Sequence, residues 1–277
     1  MAHRLETTIS DALWAAIRAR AQSSGQPIRR VVQEALAEAL DVQHHSMFQV
    51  STSGALIEGL YQGALTVGDL RRHGDTGLGT FEELDGEMIL VDGHCFQARS
   101  DGSVTEASDD TLTPFATVVA FAPDRTVTLP NITSFDDLTS RLDGLRTSDN
   151  DFFAWRITGH LDELRMRAAC RHASGTPLVE AVSDQAVFDF RDITATIVGF
   201  WSPPFSQAIS IAGYHLHAVS EDRTRAGHVF DLRAREVIAE VHRVSDLHVA
   251  LPETEAYLRA DLGSTRADMD AIERGRD

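Results

Sequence analysis

Lysine is missing: all 25 basic residues of this 277-residue chain are arginine. That absence constrains the chemistry before any motif is read. Without a lysine amine there is no Schiff base to a ketone, no internal aldimine to pyridoxal phosphate and no Walker-type phosphate lysine, so carbonyl chemistry must find another electron sink. Cysteine is nearly absent as well. Cys95 and Cys170 stand far apart with no paired spacing, which excludes zinc ribbons, C-x-x-C redox motifs and a disulfide framework, and each reads as a small buried hydrophobe. No apolar run reaches the roughly 18 residues of a membrane span. Met1 to Ser10 lacks the basic head, apolar core and cleavage site of a signal peptide, so the expected compartment is the cytoplasm. Positive charge is in deficit too: a net charge of −17 argues against a broad nucleic-acid surface, because phosphate binding depends on basic side chains releasing counterions.

With 43% hydrophobic residues the chain can bury one large core or two modest ones. Its first 45 residues differ from the rest: they hold five basic against five acidic side chains, and the whole acidic excess falls after them. His3 to Ser10 alternates, with Leu5, Thr7 and Ile9 on one side and Arg4, Glu6 and Thr8 on the other, as in a short strand that ends at a capping Ser-Asp pair. A helix is expected over Asp11 to Gln22, with Leu13, Ala16, Ile17 and Ala21 at helical spacing, closed by Ser23-Ser24-Gly25. A second helix after Pro27 puts Ile28, Val32, Ala35, Leu36 and Leu40 on one stripe. This order, with the run SGQPIRRVVQEALAEAL, resembles a ribbon-helix-helix module, and the resemblance implies a dimer whose strands pair across a two-fold axis. The plainer alternative is a helical hairpin packed on the main domain. Reading of DNA would use Arg4, Glu6 and Thr8 in the major groove, where Glu6 meets an anionic field, so dimerisation is favoured over nucleic-acid binding.

His44-His45-Ser46 marks the join to a second unit, residues 46–277. From Phe48 onward short strands are punctuated by glycine. One helix is expected over Ser53 to Tyr61, then a loop, HGDTGLGTFEELDGE, from His73 to Glu87. Strands are expected at Met88 to Val91, Ala116 to Phe121, Phe152 to Ile157, Ala186 to Phe190, Thr194 to Phe200, Ala208 to Leu216 and His228 to Leu232. Few long helices separate them, so the fold class is α+β, with mixed or antiparallel packed sheets; the tail beyond Asp261 reads as polar and partly helical.

Chemistry concentrates at His215-Leu216-His217, at the end of an apolar run. Side chains two apart on a strand share a face, so both imidazoles can meet one ion. The polar stretch Ser220 to Gly227 has the character of a hairpin loop, and the return strand brings His228 beside the pair. Three neutral imidazoles leave a position open on zinc, the arrangement of a catalytic site. A cupin competes for this pattern: Glu221 follows His217 at the cupin distance, although Gly227 comes one position early. Nothing after His228, neither His242 nor His248, fits the second cupin motif.

The segment TIVGFWSPPFSQAISIAGYHLHAVSEDRTRAGHVFDL resembles the C-terminal core of the acetolactate decarboxylases. Upstream, HSMFQVSTSGALIEGLYQG, GDLRRHGDTGLGTFEELDGEMILVDG and VEAVSDQAVFDF also look like segments of that family, in its order, so the resemblance runs from about Ser46 to Pro252. It implies metal ligands at His215, His217 and His228, a catalytic glutamate at Glu87 in the D-G-E-M-I block and an arginine at Arg167, with Arg165 as the fallback. A second family glutamate near the C-terminus falls on Glu273, with Glu253 and Glu255 competing. The implied protein is a Zn2+-dependent homodimer, two α/β subdomains with the metal between them, converting (S)-2-acetolactate to (R)-acetoin and CO2 in acetoin and butanediol formation. Two other readings stand beside it: a cupin-type dioxygenase or isomerase, and a DNA-binding regulator that senses a metabolite.

Overall fold

Long alternating runs rich in β-branched and aromatic residues make this a strand-dominated chain, and the computed structural model describes residues 5–24, 27–40 and 45–262. Two helices come first, α1 (Asp11–Ser24) and α2 (Ile28–Leu40). They pack on each other, and α2 lies against the main body, where Val31 is buried and Arg29 pairs with Asp124. Residues 5–10 form no strand within the single chain, which corrects the expected strand over His3 to Ser10 in its described part: a lone extended segment has no ladder partner.

The first layer begins with β1 (Ser46–Val50), α3 (Ser53–Ile57), β2 (Leu65–Thr66), α4 (Val67–Arg71) and β3 (Thr76–Thr80). It continues through β4 (Glu87–Val91), β5 (His94–Ala98), β6 (Val104–Glu106), β7 (Leu112–Thr113) and β8 (Ala116–Val119). The expected helix over Ser53 to Tyr61 stops at Ile57, because Gly59 turns at φ 77° against the backbone of Thr176. The expected loop from His73 to Glu87 holds β3 and a 3-10 turn at Glu82–Leu84.

The second layer is built from β9 (Arg125–Ile132), α5 (Phe135–Asp143), β10 (Phe152–Ala168), α6 (Leu178–Ala181), β11 (Ala186–Ser202), β12 (Gly213–Ser220) and β13 (Ala226–Val244). The chain closes with β14 (Asp246–Ala250), which pairs in parallel with β1, and α7 (Glu255–Arg259). The expected strands at Ala186 to Phe190 and Thr194 to Phe200 are one continuous strand, and those beginning at Phe152 and His228 run much further. The strand expected from Ala208 begins only at Gly213, since Ile209 and Ser210 leave the sheet to hydrogen-bond with Gln49 and Ser206.

Seven strands form one sheet in the order β14-β1-β8-β3-β4-β5-β6. A second sheet runs β10-β11-β12-β13-β9, and β10 also pairs with β13, so four of its strands close into a ring, while β2 and β7 pair separately. Inside that ring lies the largest core, with Trp155, Ile157, Leu164, Leu216, Ala218, Leu232 and Val237, plugged by Leu138 and Leu142 of α5. The outer face of the ring packs on the seven-stranded sheet through two apolar patches, Met47, Val119, Phe200 and Val244 in one and Ile89, Val91, Val198 and Val219 in the other. The α+β class is therefore as expected, strand-rich with few helices. Among the described residues no helix is long and apolar enough to cross a membrane. Cys95 is buried, and burial pushes its thiol up to about 12, in keeping with a small hydrophobe; Cys170 is half-buried with its thiol on the Asp184 carbonyl.

Candidate metal centre

Alternation along β12 sends Leu216 and Ala218 into the ring core and His215, His217 and Val219 toward the seven-stranded sheet. The hairpin to β13 sets His217 directly opposite His228. Close strand approach is needed for this, and glycine permits it: a Cβ on Gly199 would stand 2.1 Å from the His215 carbonyl oxygen, and one on Gly227 would stand 2.5 Å from that of Arg167. All three histidines are buried, and their rings form a near-equilateral triangle with centroids 4.8, 5.2 and 5.2 Å apart.

Protonation follows from this burial. Desolvation pushes His215 down to about 3, with the nearby Arg167 charge acting in the same sense. His217 is also pushed down to about 3 by desolvation, against which the Glu87 carboxylate pulls upward. Both rings are therefore neutral near pH 7. Nδ1 of His217 lies 2.8 Å from the Met88 carbonyl oxygen, which can only accept, so the ring donates there and carries its lone pair on Nε2. Nε2 of His215 stands 3.1 Å from that nitrogen. Two nitrogens on one tetrahedral ion with bonds of about 2.0–2.1 Å would be about 3.3 Å apart. The donor set, its protonation state and its spacing thus suit a divalent transition metal, and one ligand atom from each of the three rings lies within 4.8 Å of the others.

Glu87 reaches the same point from the other sheet. Gly86 turns at φ 87°, where a Cβ would be 2.2 Å from the Ala98 carbonyl oxygen, and the Thr80 hydroxyl donates to the Gly86 carbonyl. This fixes the entrance to β4, so that Glu87 Oε2 sits 3.5 Å from His217 Nε2 while Oε1 accepts from the Ala169 amide at 3.2 Å. Arg167 is 5% exposed; it donates to Gln185 Oε1 at 2.8 Å and its guanidinium lies 5.5 Å from the Phe230 ring centroid. Between these groups is a cavity of about 40 Å³, lined by Glu87, Arg167 and His215 and roofed by Leu178, Val182 and Ile211.

Of the candidate residues in the described region, His215, His217, His228, Glu87 and Arg167 are thus brought together. Arg165 is not among them: its side chain is 56% exposed and pairs with Asp189 at 3.7 Å. Glu253 and Glu255 lie on the surface, the latter paired with Arg259, and Glu273 lies outside the described residues. Gln185, Phe230 and the apolar roof were not singled out by the sequence. The signal for Gln185 was its place in the VEAVSDQAVFDF block.

Residues 47–264 match the family model described as alpha-acetolactate decarboxylase. Among curated relatives, an alpha-acetolactate decarboxylase of Methylococcus capsulatus is 39% identical over 82% of this chain and 88% of its own length. One of Methanosarcina mazei is 35% identical over 91% and 87%. The crystal structure of alpha-acetolactate decarboxylase from Bacillus subtilis strain 168 superposes with a TM-score of 0.79 at 32% identity, covering 83% of this chain and 99% of that one.

Proposed function

The chain belongs to the alpha-acetolactate decarboxylase family, and from that premise we propose that it converts 2-acetolactate to acetoin and CO2 using a divalent ion, zinc by preference, held by His215, His217 and His228. The observation that carries the reading is the buried triangle of imidazoles, His215 and His217 kept neutral by desolvation, with a carboxylate and a guanidinium at its rim.

Loss of CO2 from a 3-keto acid leaves an electron pair that must enter the neighbouring carbonyl. His215, His217 and His228 would hold a divalent ion, which would supply the Lewis acidity that takes up this charge. Arg167, permanently charged and pinned by Gln185, offers a fork to the substrate carboxylate; with no lysine in the chain, no amine competes for the ketone. Glu87, with Oε2 facing the triad and Oε1 kept on the Ala169 amide, serves proton transfer to the carbon that CO2 has left or contact with the substrate hydroxyl. Leu178, Val182 and Ile211 exclude water during that transfer, and the fixed side of proton delivery gives one enantiomer, (R)-acetoin. Glu273 is proposed as a further acidic group of the site.

Residues 1–45 are proposed as a dimerising module on a decarboxylase unit of residues 46–277, whose two layers hold the ion between them. Support comes from the apolar side chains that α1, α2 and the segment before them leave exposed, among them Leu5, Leu13, Trp14, Leu36 and Leu40. Glu6 weighs against DNA as the partner. Two cysteines outside any disulfide suit the cytoplasm. The test is racemic acetolactate added to purified protein, with CO2, acetoin and metal content followed on one sample. Turnover that survives chelation, with no metal left by elemental analysis, sinks the reading.

A further inference from the structure

A second set of metal-binding side chains lies at the far end of β13. His242 is fourteen residues beyond His228, about 45 Å along the strand at its ordinary rise. His45, at the residue preceding β1, turns at φ 60° and buries its ring against that of His242, with centroids 5.0 Å apart and planes within 15°. Each ring presents Nδ1 to a backbone carbonyl, His45 to Arg243 at 2.7 Å and His242 to Ala122. A carbonyl oxygen only accepts, so each ring donates from Nδ1; this is the outer-sphere arrangement that orients metal-binding imidazoles. Asp124, just ahead of β9, completes the set. Its Oδ2 accepts from the Arg243 amide at 2.8 Å and its Oδ1 from Arg29 at 3.3 Å. One ligand atom from each of His45, Asp124 and His242 lies within 4.8 Å of the others.

We propose that His45, Asp124 and His242 form a second site for a divalent transition-metal ion, separate from the triad of β12 and β13. Two imidazole nitrogens and one carboxylate oxygen are a ligand set for zinc, cobalt, nickel or iron rather than for calcium or magnesium, which want oxygen. A cavity of about 450 Å³ beside His45 and Asp124, rimmed by Arg29, Gln33 and Arg125, gives the ion an entry path and room for a further ligand. The ion ties three segments together: the point where the chain leaves the helical segment, the start of β9 and the end of β13. It draws on the same carboxylate that Arg29 of α2 holds, so loading this site changes how α2 is fastened to the sheet.

The experiment is zinc stoichiometry on the full chain, by elemental analysis after loading with excess zinc and desalting, for wild type, His217→Ala, Asp124→Asn and the double variant. Circular dichroism melts report folding. Two equivalents in wild type, one in His217→Ala, one in Asp124→Asn and none in the double variant are expected, with acetoin release retained by Asp124→Asn. A wild type that holds one equivalent, all of it kept by Asp124→Asn, overturns the second site and leaves the first intact. If His217→Ala fails to fold, the wild-type and Asp124→Asn counts decide alone, and equal counts overturn the proposal. His242→Gln serves as the independent check: it must lose the same equivalent as Asp124→Asn.

Discussion

In the absence of a bound ion the fold should be sensitive to mild acid, by an amount the burial of two imidazoles determines. Unfolded, each of His215 and His217 titrates near 6.5; folded, both are pushed down to about 3. The unfolded chain therefore takes up protons that the fold refuses. Stability is greatest above about pH 6.5 and falls as the pH descends toward 3. Between pH 7 and pH 5 the loss is about 2 kcal/mol for each ring, about 4 kcal/mol for the pair, a figure that hardly changes for any folded pKa below about 4. Urea unfolding of metal-free protein at the two pH values, beside a His215→Gln/His217→Gln variant, isolates the contribution from other titrating groups. If the variant shows the same pH dependence to within about 1 kcal/mol, the rings accept protons in the folded state and the desolvation argument fails.

Arg167→Gln should lower kcat/KM for acetolactate by about two to three orders of magnitude, and Arg167→Lys should recover little of it, because a point charge cannot replace the fork; metal content should stay unchanged in both. Glu87→Gln should retain the ion and depress kcat more than KM, measured by initial rates on the metal-loaded enzyme. Gly199→Ala puts a methyl group 2.1 Å from the His215 carbonyl oxygen, and urea midpoints should report a loss of about 3 kcal/mol, with metal affinity falling too. Leu36→Asp should convert a dimer to a monomer by light scattering while acetoin release persists.

The histidine triad is legible in the sequence because two simple periodicities coincide in it. His-x-His puts two rings on one side of a strand, and a polar loop ending in glycine returns the third in register, as the direct pairing of His217 with His228 bears out. Arg167 was harder to pick. It and Arg165 lie two apart on β10 and so share a face nominally, yet the covering layer reaches only one of them, which is a property of the packed sheets. A register shift between β10 and β13 at Arg165 and Met166 leaves Phe230 outside the ladder, where its ring meets both Arg167 and His228. No local pattern announces that. Strand β3 escaped notice because Thr-Gly-Leu-Gly-Thr has almost no side chains to alternate; its glycines are there for close packing, with a Cβ on Gly79 landing 2.4 Å from the Phe115 carbonyl oxygen. Strand β11 looked like two pieces because Arg191-Asp192 interrupts its apolar pattern, and the ring tolerates them by leaving that stretch in solvent.

The closed ring of four strands carries a consequence for motion. Every strand in it has a neighbour on both sides, so the histidine-bearing pair cannot peel away at an edge, and its amides should be among the slowest in the molecule to exchange with deuterated water. An ion seated there would be released only when a large part of the ring opens as one, whereas the roof of the cavity is made of short helical turns and loop and is held by fewer ladder hydrogen bonds.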